Sequence, residues 1–183
     1  MNLPNKITIT RIILVPFFIA AIVYARMDIA LIFFALAVIS DGIDGLLART
    51  RNQKTALGTI LDPLADKLLL VSAFICLSLA DPDTFMVKLP PYVPIIVISR
   101  DAILIIGAII VHVVTGEVKI SPSAVGKITT FFQMMTVVSI LIQARYAYLV
   151  WNVTVALTVI SAIDYIIKGS RLFNESHPAD GRR

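Results

Sequence analysis

The stretch IALIFFALAVISDGIDGLL, Ile29–Leu47, decides the fold together with its neighbour ILDPLADKLLLVSAFICLSLA, Ile60–Ala80. Each is about as long as the roughly 20 mostly apolar residues that carry a helix across a bilayer. Each also carries carboxylates, Asp41 and Asp44 in the first and Asp62 and Asp66 in the second. Apolar length predicts a membrane helix, and a carboxylate at membrane depth costs a few kcal/mol even on the gentler insertion scale. Four such groups require a reason.

Working outward, four further apolar stretches have spanning length: Ile7–Ala25, Tyr92–Val114, Ile128–Ala144 and Tyr148–Ile167. The chain of 183 residues is 58% hydrophobic, with a mean hydropathy of +0.89, more apolar than soluble domains of this size. No linker or internal repeat divides it, so residues 1–183 are expected to form one all-α membrane domain of six transmembrane helices. The first apolar run, after Lys6 and Arg11, superficially resembles a signal peptide, but more apolar runs come after it, and it is read as an uncleaved span. The sole cysteine, Cys76, lies in an apolar run and reads as core packing.

An even number of spans puts both termini on one side. The segments sharing that side carry eleven of the 16 Lys and Arg, Arg49, Lys54, Lys127 and Lys168 among them; the opposite side has Arg26, Lys88 and Arg145. This bias predicts cytoplasmic termini. The net charge of +4 sits between apolar runs rather than along one face, which favours topology over nucleic-acid binding. Lys67 and Arg100 remain inside the spans.

Asp41 and Asp44 are three residues apart and Asp62 and Asp66 four, so each pair shares one helix face. Antiparallel helices joined by the short connection 50–57 can bring both faces to one depth, just inside the cytoplasmic surface. Four carboxylates together repel unless protonated or neutralised, and hard oxygen donors suit magnesium or manganese. The blander reading makes them helix caps or partners of Lys67 and Arg49; two cations do not account for four carboxylates. Intramembrane aspartates also mark ion pathways, yet these cluster near one face and continue no polar path, which argues against a cation transporter. Gly45 and Gly58 suit close approach of a ligand, whereas Gly42 is read as a site of close helix packing.

The pattern Asp41-x2-Asp44-Gly45-x2-Ala48-Arg49-x8-Gly58-x3-Asp62-x3-Asp66 resembles the signature of the CDP-alcohol phosphotransferase family at every position, eight fixed residues at fixed spacing. The opening Asn2-Leu-Pro-Asn5 with Thr8 and Arg11, and the run Leu61–Lys67, are similar to that family too, and the likeness extends over essentially the whole chain. The resemblance implies that Asp41, Asp44 and Asp62 ligate a pair of Mg2+ or Mn2+ ions, with Asp66 contributing to the second. It implies that Arg49, Gly45 and Gly58 line the CDP-lipid site, that Asn5 and Thr8 lie near the nucleotide, and that Asp66 is the general base for the attacking alcohol. It further implies a homodimer in the cytoplasmic membrane, an active site facing the cytoplasm, CDP-diacylglycerol as donor, and no redox cofactor.

The acceptor is read from two cations. Lys127 follows Ser121-Pro-Ser-Ala-Val-Gly126, where Ser121 as N-cap and Pro122 at the first helical position would open a helix whose N-terminus, with Lys127, can hold an anion. Lys127 reads equally as a topological charge, and Arg100 either contacts ligand or pairs with Asp101. Chain length, the Asn-Leu-Pro-Asn start and Gly126-Lys127 resemble the family's bacterial phosphatidylglycerophosphate synthases, which implies glycerol 3-phosphate as acceptor. Asp101 in place of a glutamate, Thr129 in place of a lysine, and the run Ile98–Asp101 resemble its CMP-forming cardiolipin synthases, which implies phosphatidylglycerol.

Overall fold

A computed structural model describes residues 3–51, 56–80, 86–115 and 123–176, with side chains described over 9–40, 42, 65–80, 86–110, 113 and 123–170. Among these residues the chain is all-helical, with six helices: α1 (Leu3–Val23), α2 (Met27–Arg51), α3 (Ala56–Leu79), α4 (Tyr92–Thr115), α5 (Ala124–Leu141) and α6 (Ala147–Ser176). A helix satisfies its backbone polar groups internally, which is what an apolar segment in lipid must do.

Three stretches are long and apolar enough to cross a membrane: Tyr92–Ile110, Ala124–Leu141 and Ala147–Ser170; Ile9–Val23 and Met27–Ser40 are shorter apolar helices over the described residues. Large aliphatic side chains face outward along α4 (Ile95, Ile105, Ile109) and α6 (Ile160, Ile163, Ile166). Water does not tolerate apolar faces of that extent on a monomer, whereas lipid does. The chain is a membrane protein.

Two compact units can be distinguished. In the first, Met1–Pro91 with Val137–Ala147, α1 packs against both α2 and α3. Buried Ala21, Ala30, Ala37, Ala65 and Ala73 let backbones approach closely. Phe18 meets Phe34 with ring centroids 5.8 Å apart, and Phe17 meets Phe33 at 6.0 Å.

Two helix ends in this unit share one cap. After α1, the N–H of Ala25 donates to Ile22 O (2.9 Å) and that of Arg26 to Ala21 O (2.8 Å); after α5, Gln143 donates to Ile140 O and Ala144 to Ser139 O, both at 2.9 Å. This is the Schellman pattern, and it puts Ala25 at φ 57° and Gln143 at φ 53°, in the left-handed region. The cap is why α5 stops at Leu141 rather than running to Ala144.

The second unit, Tyr92–Thr136 with Tyr148–Arg183, is held by a polar seam between α5 and α6. Thr136 and Thr154 hydroxyls lie 2.7 Å apart, Thr154 also donates to Phe132 O at 3.0 Å, and Thr129 donates to Leu157 O at 3.2 Å. Tyr165 ties α6 to α4 by donating to Leu104 O at 3.1 Å. Gly107 makes room for that ring, since a Cβ there would sit 2.9 Å from Tyr165 Cε1.

Candidate active site

Asn5 and Thr8 fall on α1, Asp41, Asp44, Gly45 and Arg49 on α2, and Gly58 and Asp62 on α3; their side chains lie outside the described residues. Gly58 stands in the first turn of α3 rather than before it. At Gly42 a Cβ would meet no described atom within 4 Å, so among the described residues nothing requires the close packing expected there.

Asp66 is described, and its surroundings were not anticipated. Arg11 on α1 donates from Nη1 to Asp66 Oδ1 on α3, across 55 residues of sequence. The arginine side chain is 1% exposed and the aspartate 34%. Arg11, counted in the sequence among cytoplasmic charges, is therefore a buried cation within α1. The signal was present: an arginine stands inside the apolar run Ile7–Ala25, and intramembrane cations generally face a counter-charge.

Side-chain donors of this signature are carboxylates only, the hard-oxygen set that binds magnesium or manganese. Asp66 fits that use, because its carboxylate is partly open while one oxygen is held by Arg11. Among the described residues no group of three His, Cys, Asp or Glu forms a metal cluster; Asp41, Asp44 and Asp62 stand outside that set.

In the second unit, Arg100 and Asp101 are both buried, each 6% exposed in its side chain, with Nη1 donating to Oδ1 at 2.9 Å. Nη2 donates to Ser161 Oγ on α6 at 2.7 Å, and Nε is buried with no partner among the described residues. Gly126 admits this guanidinium: a Cβ there would lie 3.1 Å from Arg100 Nη2. The start of α5 differs from expectation. Ser123 is its cap, accepting from the Gly126 N–H at 3.1 Å, while Ser121 and Pro122 lie outside the described residues. Lys127, one residue past Gly126, is exposed. Thr129 is fully buried in the α5–α6 seam. Gln133 was not singled out in the sequence; it too is fully buried, both amide atoms lacking a partner among the described residues.

The chain is thus a membrane helical protein whose acidic signature runs over two successive helices, with one of its carboxylates, Asp66, gripped by the buried Arg11. The chain belongs to the CDP-alcohol phosphatidyltransferase family, whose sequence profile matches residues 1–161. It is 34% identical to the CDP-diacylglycerol--glycerol-3-phosphate 3-phosphatidyltransferase of Bacillus subtilis, covering 91% of this chain and 94% of that one. It is 29% identical to the protein of the same name from Aquifex aeolicus, over 94% and 98% of the two chains. The human CMP-forming cardiolipin synthase is 31% identical over 93% of this chain and 62% of its own length. The family is in general divalent-metal dependent.

Proposed function

We propose that this chain transfers a phosphatidyl group from CDP-diacylglycerol to glycerol 3-phosphate, releasing CMP and forming phosphatidylglycerophosphate. The observation that carries the reading is the complete acidic signature Asp41–Asp66 in a chain matched almost end to end by relatives bearing that activity in their names. Asp41, Asp44 and Asp62 would ligate two magnesium or manganese ions, with Asp66 contributing to the second. Gly45, Arg49 and Gly58 would line the CDP-lipid site, with Asn5 and Thr8 near the nucleotide. Bound metal would neutralise the diphosphate and stabilise the departing CMP. Asp66 takes the proton of the acceptor hydroxyl as that oxygen bonds to the phosphatidyl phosphorus and the bond from phosphorus to CMP breaks. Lys127, exposed at the start of α5, and Arg100, whose Nε has no partner among the described residues, would hold the acceptor's phosphate. The whole chain acts as one six-span membrane domain, a homodimer in the cytoplasmic membrane with termini and site facing the cytoplasm.

One observation favours a second reading, CMP-forming cardiolipin synthase with phosphatidylglycerol as acceptor. Thr129, where a lysine would add a cation for a small phosphorylated acceptor, is buried and hydrogen-bonded into the seam. Purified protein given CDP-diacylglycerol with glycerol 3-phosphate and phosphatidylglycerol in competition decides between them by product mass. Phosphatidylglycerophosphate is expected; cardiolipin alone would install the second reading, and no CMP would end both. In a Cys76→Ser background, Thr84→Cys should react with an impermeant thiol reagent from outside the cell and Gln53→Cys should not; the reverse pattern would overturn the topology.

A further inference from the structure

We propose that Arg11 is the positioning residue of Asp66, holding its carboxylate in the orientation that accepts the acceptor's proton. This rests on the function proposed above, in which Asp66 is the base. Arg11 and Asp66 lie on different helices, α1 and α3, that pack together, so the contact ties the carboxylate to a second element of the scaffold. A guanidinium donates from a rigid planar group, so its Nη1–H meets Asp66 Oδ1 along a direction that a lysine's rotating ammonium does not set.

The asymmetry of burial separates this pair from one made only for stability. Hiding both partners leaves a carboxylate available only to its own surroundings, as with Asp101 beside Arg100. Here the cation is hidden and the carboxylate stays one-third exposed, an arrangement that anchors one edge of Asp66 while the group remains reachable. The proton from the acceptor resides on Asp66, the new bond is from acceptor oxygen to phosphorus, and CMP departs with the electron pair of the bond that breaks.

The test uses the full chain, purified in detergent with Mg2+, as wild type, Arg11→Gln, Arg11→Lys and Asp66→Asn. Misplacing a catalytic group by about 1 Å costs on the order of a hundredfold, so Arg11→Gln should lower kcat by roughly 10–100-fold while both KM values stay within about twofold. Arg11→Lys, which restores the charge without the rigid planar group, should fall between Arg11→Gln and wild type. The rise in melting temperature on adding Mg2+ and CDP-diacylglycerol should shrink but persist in both Arg11 variants, because Asp41, Asp44 and Asp62 remain as metal ligands and the donor site is assigned to other residues. Arg11→Gln with wild-type kcat overturns the proposal. So does loss of kcat together with the ligand-induced stabilisation in both variants, the signature of a merely structural pair. If Arg11→Gln does not fold, Arg11→Lys decides: lowered kcat at unchanged KM supports positioning, and wild-type kcat overturns it. Wild type that forms no CMP, or Asp66→Asn that turns over normally, defeats the functional reading and the proposal with it; a normal Arg11→Gln in an otherwise competent enzyme defeats the proposal alone.

Discussion

Among the described residues two arginines are buried, Arg11 in the first unit and Arg100 in the second, and each donates to an aspartate. Arg100 meets its neighbour in sequence, Asp101, on the same helix, both are hidden, and a third group, Ser161, joins them. Arg11 instead reaches to another helix for Asp66, which keeps a third of its side chain exposed. Ion pairs at membrane depth are retained only where both charges find partners. The difference is in what the carboxylate can still do. Asp101 is enclosed and serves Arg100; Asp66 is served by Arg11 and remains open.

If that contrast is right, the two aspartates should fail in different currencies. Asp66→Asn removes a general base, a contribution of about 10²–10⁴ in rate, and should abolish most CMP release while CDP-diacylglycerol binding partly survives and the melting temperature falls less than in Asp101→Ala, because the asparagine Oδ1 can still accept from Arg11. Near-normal turnover would break the comparison at its strongest point. Asp101→Ala leaves a guanidinium buried beside a missing partner, which costs about 3 kcal/mol or more. It should lower the melting temperature and the yield of folded protein, with the folded remainder keeping kcat within a few-fold. A stably folded Asp101→Ala whose kcat has fallen as far as that of Asp66→Asn would show that both pairs serve the chemistry.

Lys127 sharpens the account of the second unit. It is exposed where Arg100 is buried, so its charge is available to a ligand at little structural cost. Losing one charge-assisted contact costs about 1.5–3 kcal/mol, and each 1.36 kcal/mol is about tenfold. Lys127→Ala should raise the KM for glycerol 3-phosphate by about tenfold or more, leave that for CDP-diacylglycerol nearly unchanged, and leave stability alone. An unchanged KM would return Lys127 to the topological role that its position at a helix start also explains.

The parts of the molecule that were legible in the sequence are those written locally. Runs of apolar residues marked all six helices, because spanning length and continuous hydropathy leave a bilayer few alternatives. Ends were less legible. Ser121 reads as the cap of α5 with Pro122 opening it, whereas Ser123 caps a helix that starts at Ala124; the polar tail of α6 continues to Ser176, beyond the apolar run that announced it. The acidic signature was legible as spacing along two helices. The grip of Arg11 on Asp66 was not, since 55 residues separate them and periodicity reports only neighbours on one element. Gln133 escaped for a related reason: one amide in a run of threonines and aromatics does not say which face of α5 is buried.

The smallest effect asks whether the same backbone geometry can be idle in one place and occupied in another, as the two ion pairs suggest for side chains. Ala25 and Gln143 hold the same position in two Schellman caps, at φ 57° and 53°. Left-handed backbone disfavours a residue with a Cβ by roughly 1–2 kcal/mol, and glycine relieves this while giving back part of the gain through its freer unfolded chain. Ala25 is exposed, with no side-chain hydrogen bond to lose. Ala25→Gly should therefore raise stability by somewhat under 1 kcal/mol, a small upward shift in melting temperature. Gln143 differs, because its Oε1 accepts from the Val87 N–H at 3.0 Å and its Nε2 donates to Ile140 O at 2.8 Å. Removing that side chain leaves the Val87 N–H without its acceptor, at about 1–3 kcal/mol, which outweighs the backbone relief. Gln143→Gly should lower the melting temperature where Ala25→Gly raises it, and equal shifts in the two variants would mean that the amide of Gln143 contributes nothing to holding Val87.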